Sequence, residues 1–276
     1  MTLVSVSTRS SILFIFVLSI SLVISGCGGS SEQDTFEEAQ RLLGEGNYQG
    51  AIDEYSALVE AYPASSYAPK SQYKIAYIYK RFLKDTVSAE EAYNMLLHLY
   101  PDSEEAIFSR EDLAFIYHRR GAHRKAIEHY GYLIEHGPKD LKNTFLFKIA
   151  LEYIELNDFR QARVELKEIL RAEVKGKLVP KTLYRVATTY HLEGNLDEAL
   201  EAYNLVIEKL PKHALALESK LGIATVLEES GELVKALVTL NLLLSEYPNS
   251  GAIRLRIERA KERQKNAPKL RKRSRR

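Results

Sequence analysis

The stretch "ATTYHLEGNLDEALEAYNLVIEKLP", residues 187–211, carries two alanines twelve positions apart, Ala187 and Ala199, with Gly194 between them and Pro211 at its close. Tyr190 stands three residues after the first alanine and Tyr203 four after the second, spacings that place each large side chain on the same helical face as its alanine. Glycine suits the left-handed residue that ends a first helix, and proline cannot continue a second. The stretch therefore reads as a helical hairpin. Its two rods cross where the alanines let the axes approach to the short end of the usual range of about 8–10 Å.

The same arrangement recurs along the chain. First alanines stand at Ala39, Ala76, Ala114, Ala150, Ala187 and Ala224, and second ones at Ala51, Ala89, Ala126, Ala162, Ala199 and Ala236. A period of 36 to 38 residues is the signature of a stacked helical array. Leu42, Tyr79, Tyr117, Tyr153, Tyr190 and Leu227 follow the first alanines, and Tyr55, Tyr93, Tyr130, Leu166, Tyr203 and Leu240 the second. Gly46, Gly121, Gly194 and Gly231, with Asn157 in the fourth unit, mark the turns. Pro63, Pro101, Pro138, Pro211 and Pro248 close five units, while the fourth has Val174 there. Ser65, Ser103 and Ser250 are expected to cap the helices that follow them. The second unit has one extra residue, expected in its turn, and "SAEE" from Ser88 is expected to form a capping box.

This pattern resembles the tetratricopeptide repeat, in about six copies covering residues 32–248. The resemblance implies an all-α fold, a right-handed α-solenoid of helix pairs. The tryptophan often found early in the motif is absent, a loss of packing and not of topology. A stacked array needs its last face covered, and "SGAIRLRIERAKERQ" from Ser250 supplies an amphipathic cap with Ile253, Ile257 and Ala260 inward. The solenoid with its cap is expected over residues 35–265.

The ends of the chain carry different information. Residues 1–26 hold one charged side chain, Arg9, and an uncharged apolar run, "SILFIFVLSISLVI". That run suits a secretory signal better than a membrane-spanning helix, which needs roughly 20 apolar residues. Cys27 is the sole cysteine. Ile24-Ser25-Gly26-Cys27 resembles the lipobox of bacterial lipoproteins, which implies cleavage before Cys27, acylation of that residue and a membrane-tethered linker over residues 27–34. Acyl chains contribute about 0.8 kcal/mol per buried CH₂. Gly28 and Gly29 stand where an inner-membrane retention aspartate is found in enteric lipoproteins, so the outer membrane, facing the periplasm, is favoured. One cysteine allows no disulfide within the monomer, and stability must come from packing.

At the far end, "APKLRKRSRR" holds six of the 39 basic residues and no acidic one. Setting these and Arg9 aside leaves 32 basic residues against 37 acidic, a mildly acidic body. Residues 266–276 are expected as a disordered basic tail able to contact anionic lipid headgroups. Export makes nucleic acid an unsuitable partner.

In the tetratricopeptide family the first helix of each pair lines the concave wall. Carried onto this chain, the resemblance places Tyr73, Tyr77, Lys80 and Arg81 on the groove from the second unit. It adds Phe108, Phe115, His118 and Arg119 from the third, Phe147 and Leu151 from the fourth, and Tyr184 and His191 from the fifth. An aromatic wall with basic rims suits an extended or helical peptide. No asparagine follows the first alanines, so the clamp some family members use for a partner's C-terminal carboxylate is not recognisable.

Catalysis has no matching signature. The sequence lacks a nucleophile elbow, a phosphate-binding glycine loop and a CxxC pair, and His118, His123, His129 and His136 lack paired metal-ligand spacing. No enzyme activity, metal or cofactor is expected. "YP" pairs at Tyr62, Tyr100 and Tyr247, each followed by serine, resemble envelope repeat proteins. These are the BamD-like lipoproteins of outer-membrane protein assembly and the periplasmic cell-division coordinators. The expectation is a lipid-anchored scaffold for envelope proteins.

Overall fold

The computed structural model describes residues 31–172 and 176–273, with side chains to residue 266. The signal segment, Cys27 and Val174 lie outside the described residues. Within them the chain forms helix pairs α1 (Glu32–Gly44) and α2 (Tyr48–Ala61), α3 (Tyr67–Ile78) and α4 (Thr86–Leu99), and α5 (Glu104–Arg119) and α6 (His123–His136). Three more pairs follow: α7 (Lys142–Glu155) and α8 (Phe159–Ala172), α9 (Val179–Glu193) and α10 (Leu196–Lys209), α11 (Ala214–Glu229) and α12 (Leu233–Leu243). A final helix, α13 (Ser250–Arg273), completes an all-α solenoid.

All twelve paired alanines are fully buried, at 0% exposure. The large residues four positions after the second alanine are buried in every unit, from Tyr55 to Leu240. Their partners on the first helices are buried at Tyr117 and Leu227 and half-buried at Leu42, Tyr79, Tyr153 and Tyr190. Each helix packs on its neighbours in sequence, and the first helices of successive units also touch, α1 with α3, α3 with α5 and α9 with α11. The core is a seam running the length of the stack, as expected when each repeat buries its face only against the next.

Turn chemistry follows the sequence closely. Gly46, Gly121, Gly194 and Gly231 adopt φ between +73° and +83°, and Asn157 takes φ +57°. The second unit departs. Its extra residue is absorbed in a π-helical turn, Tyr79–Leu83, after which Lys84 takes the left-handed conformation with φ +57°. A single inserted residue widens one helical turn at less cost than rebuilding the hairpin.

The caps differ in part from expectation. Ser103 caps α5 through the Ala106 amide at 3.2 Å. Asp85, not Ser88, caps α4, accepting from the amides of Val87 and Ser88 at 3.0 and 3.1 Å while the Ser88 hydroxyl donates to it. Asn249 caps α13 in place of Ser250, accepting from the Ala252 amide at 3.1 Å. Ser65 accepts from the Tyr67 amide at 3.0 Å, while Ser66, which directly precedes α3, makes no side-chain cap.

The boundaries also shift. Ser31 and Asp34 form a reciprocal capping box, so α1 begins at Glu32, inside the expected 27–34 linker. At the other end α13 continues to Arg273, past residue 265 where the cap was expected to stop. Its first turns bury Ile253, Ile257 and Ala260, and the two isoleucines pack onto the last pair beside Leu240 and Leu243. Among the described residues no helix is long and apolar enough to cross a membrane.

Candidate functional site

Of the residues expected on the groove, Tyr73, Tyr77, Lys80, Phe108 and Phe115 of the second and third repeats lie near one another. Tyr73 and Tyr77, one turn apart on α3, lie with ring centroids 6.4 Å apart, and Tyr73 meets Phe108 of α5 edge-on at 6.2 Å. Phe108 and Phe115 are 45% and 51% exposed, an unusual state for two phenylalanines on one helix. Lys80 stands 5.9 Å over the Phe115 ring and Lys74 5.9 Å over that of Tyr77, close enough for cation–π attraction.

Sequence reasoning missed Phe82. Carried on the π-helical turn, this ring stacks on Tyr48 of α2 at 4.7 Å and meets Tyr77 edge-on at 6.0 Å. Tyr48, Phe82, Tyr77, Tyr73 and Phe108 thus form one row of rings across three repeats. The only sequence signal for it is the residue inserted in the second unit.

Beneath the row sits Asp112 of α5. Its carboxylate accepts from the Tyr73 hydroxyl at 3.2 Å and from the buried Tyr93 hydroxyl, and pairs with Lys80. Burial first, then the Asp112 charge, pushes both phenols far above the ordinary tyrosine range. These groups stay protonated and act as hydrogen-bond donors. Lys80 is thereby held against the wall, while Arg81 and Arg119 are exposed.

The remaining expected residues are placed separately. Phe147 and Leu151 are half-buried on α7. Tyr184 and His191 both rest on Tyr203 of their own repeat, with centroids 6.0 and 6.3 Å away, and His191 also lies 3.0 Å from Glu229 of α11. His118 belongs to a different cluster. Its Nδ1 is 2.9 Å from one oxygen of Glu152 on α7, whose other oxygen is 2.7 Å from Nδ1 of His123.

A second feature missed from sequence is basic. Arg160, Arg163, Lys167 and Arg171 line a cleft on α8 together with Val164 and Tyr190. Arg163 stacks over Tyr190 at 4.3 Å and pairs with Glu193.

Comparison with known proteins agrees with this architecture. Residues 29–110 match the family model YfiO, described as an outer membrane lipoprotein. Residues 147–214 and 218–250 match two tetratricopeptide repeat models. No curated protein matches the sequence. A tetratricopeptide repeat protein from Parabacteroides merdae superposes with a TM-score of 0.56 at 21% identity, covering 87% of this chain and 90% of its own. PilW, a type IV pilus biogenesis factor, does so with a TM-score of 0.51 at 16% identity, covering 82% of this chain and 98% of its own. The apo form of RapI gives 0.52 at 15% identity, covering 85% and 76%. At these identities the likeness is one of fold. The chain is an all-α solenoid of tetratricopeptide-type helix pairs, and its residues 29–110 are similar to an outer membrane lipoprotein family.

Proposed function

We propose that the protein is a non-catalytic scaffold of the bacterial envelope, tethered to the outer membrane through Cys27, that seats a partner's extended or helical segment on the aromatic wall of its second and third repeats. The observation that carries this reading is the row from Tyr48 to Phe108, with Phe108 and Phe115 left open to solvent beside it. Aromatic rings held rigid by their neighbours offer large contact area at little entropic cost. Lys74, Lys80, Arg81 and Arg119 around them favour a partner with acidic residues flanking its apolar anchors. Phe147 and Leu151 on α7, and Tyr184 and His191 beside Tyr203, offer further contacts on the later repeats, apart from this row. Basic residues of the C-terminal segment add attraction to anionic headgroups.

A second reading is participation in outer-membrane protein assembly in the manner of BamD-like lipoproteins. What favours it over a cell-division role is the match of residues 29–110, which include the first two repeats, to the outer membrane lipoprotein model.

In-membrane crosslinking followed by mass spectrometry tests the scaffold reading. Tyr77→Ala combined with Phe115→Ala is expected to lower crosslinking to envelope partners about tenfold while helical circular dichroism is retained. Unchanged crosslinking with intact helicity would refute the groove assignment.

A further inference from the structure

The residue two positions after the first alanine faces the preceding repeat. In four units that seat holds Ile78, Ile116, Thr189 and Val226, each no more than 2% exposed. In the first described unit the seat holds the exposed Arg41. The fourth unit places Glu152 there, and its carboxylate is buried at 3%. A second exception stands opposite. Three residues before the second alanine the other units carry Tyr48, Thr86, Phe159, Leu196 and Leu233, whereas the third carries His123. Two departures from the repeat, on different helices, meet at one junction. A carboxylate withdrawn from water at an otherwise apolar or hydroxyl-bearing seat requires a compensating charge.

His118, in the last turn of α5, completes the group. Glu152 presents one oxygen 2.9 Å from Nδ1 of His118 and the other 2.7 Å from Nδ1 of His123, and a ligand atom from each of the three lies within 4.8 Å of the others. The two imidazoles stand at 71°, with centroids 6.1 Å apart, so they converge from different directions. His118 Nδ1 is occluded, yet makes no well-directed hydrogen bond despite its proximity to Glu152. Exposure rises from 3% at Glu152 to 17% at His123 and 42% at His118, which leaves one side of the group open to water.

We propose that His118, His123 and Glu152 bind a divalent transition cation of the zinc class at the junction of the third and fourth repeats. Two neutral imidazoles and a carboxylate are a donor set suited to Zn²⁺, and three protein ligands leave a coordination position for water on the open side. The ion joins the α5–α6 turn to α7 and neutralises the buried carboxylate. It thereby clamps the solenoid at its midpoint, independently of what the groove binds. The comparable pair His191–Glu229, between the fifth and sixth repeats, has one imidazole and a half-exposed carboxylate, and no third ligand joins it among the described residues.

The full-length chain, purified without a polyhistidine tag, is titrated with Zn²⁺ against a chromophoric chelator, and with Co²⁺ by visible absorption. The expected result is about one equivalent bound with a dissociation constant tighter than about 10 µM, with Co²⁺ bands typical of four or five ligands. Glu152→Gln keeps the shape and hydrogen-bonding capacity of the side chain and is expected to weaken binding more than tenfold with unchanged circular dichroism. His123→Asn supplies a second test with the same expectation. Absence of stoichiometric binding, or equal affinity in wild type and Glu152→Gln, would overturn the proposal and leave a metal-free His–Glu–His network.

Discussion

Tyr93 of α4, fully buried, donates its hydroxyl to Asp112 of α5, which also receives Tyr73 and Lys80 from the second repeat. One carboxylate therefore ties three groups of one repeat to the first helix of the next. Asp112→Ala strands a buried hydroxyl and is expected to cost about 2–3 kcal/mol. Tyr93→Phe removes donor and need together and is expected to cost about 1 kcal/mol. Urea unfolding of the two single variants and the double variant should give a coupling above about 0.5 kcal/mol. Strict additivity would show that the contact contributes little.

The paired alanines set the distance between rods. Ala114 sits in the central cluster with Leu113, Tyr117, Ala126 and Tyr130, at 0% exposure. Ala114→Leu is expected to destabilise the protein by about 1–3 kcal/mol by forcing the two rods of its hairpin apart. Thermal melts followed by circular dichroism measure this, and an unshifted midpoint would contradict the tight crossing.

Lys84 closes the π-helical turn in a left-handed conformation that disfavours a side chain. Lys84→Gly is expected to stabilise the fold by about 0.5 kcal/mol, the steric relief outweighing the added freedom of the unfolded chain. A lower denaturation midpoint in the variant would show that the Lys84 side chain makes a compensating contact.

His129 stacks on Tyr117 at 5.4 Å, and its Nδ1 is buried without a hydrogen-bond partner among the described residues. Burial, then the charges of Arg110 and Lys125, lowers its pKa from 6.5 to about 4. The imidazole is neutral in the fold, whereas the unfolded chain takes up a proton below its ordinary value. Stability from this group is therefore complete above pH 6.5 and is lost as pH falls towards about 4. With allowance for solvent screening the loss is on the order of 1 kcal/mol. His129→Leu should remove it, so the gap between variant and wild type in urea unfolding should widen in the variant's favour between pH 7 and pH 5. A pH-independent gap would refute the assignment.

The metal-ligand group and the aromatic row were only partly legible in the sequence. Register alone puts His118 on the groove and leaves Glu152 one of many helical acids, because its significance lies in the apolar seats of Ile116 and Val226. Phe82 was hidden because its position depends on a π-helical turn, and an inserted residue alone does not say where a helix will accommodate it.

What the sequence by itself determined is the hairpin and its repetition. Paired alanines, left-handed glycines and closing prolines act through local sterics and helix periodicity, and these operate within a few residues of each position. Which side chains meet was decided only by the stacking of one hairpin on the next. The meetings of Tyr73 with Phe108, Lys80 with Asp112, and His123 with Glu152 span 29 to 35 residues of chain. Their geometry depends on the rotation between repeats, a property of packed interfaces that no single repeat contains.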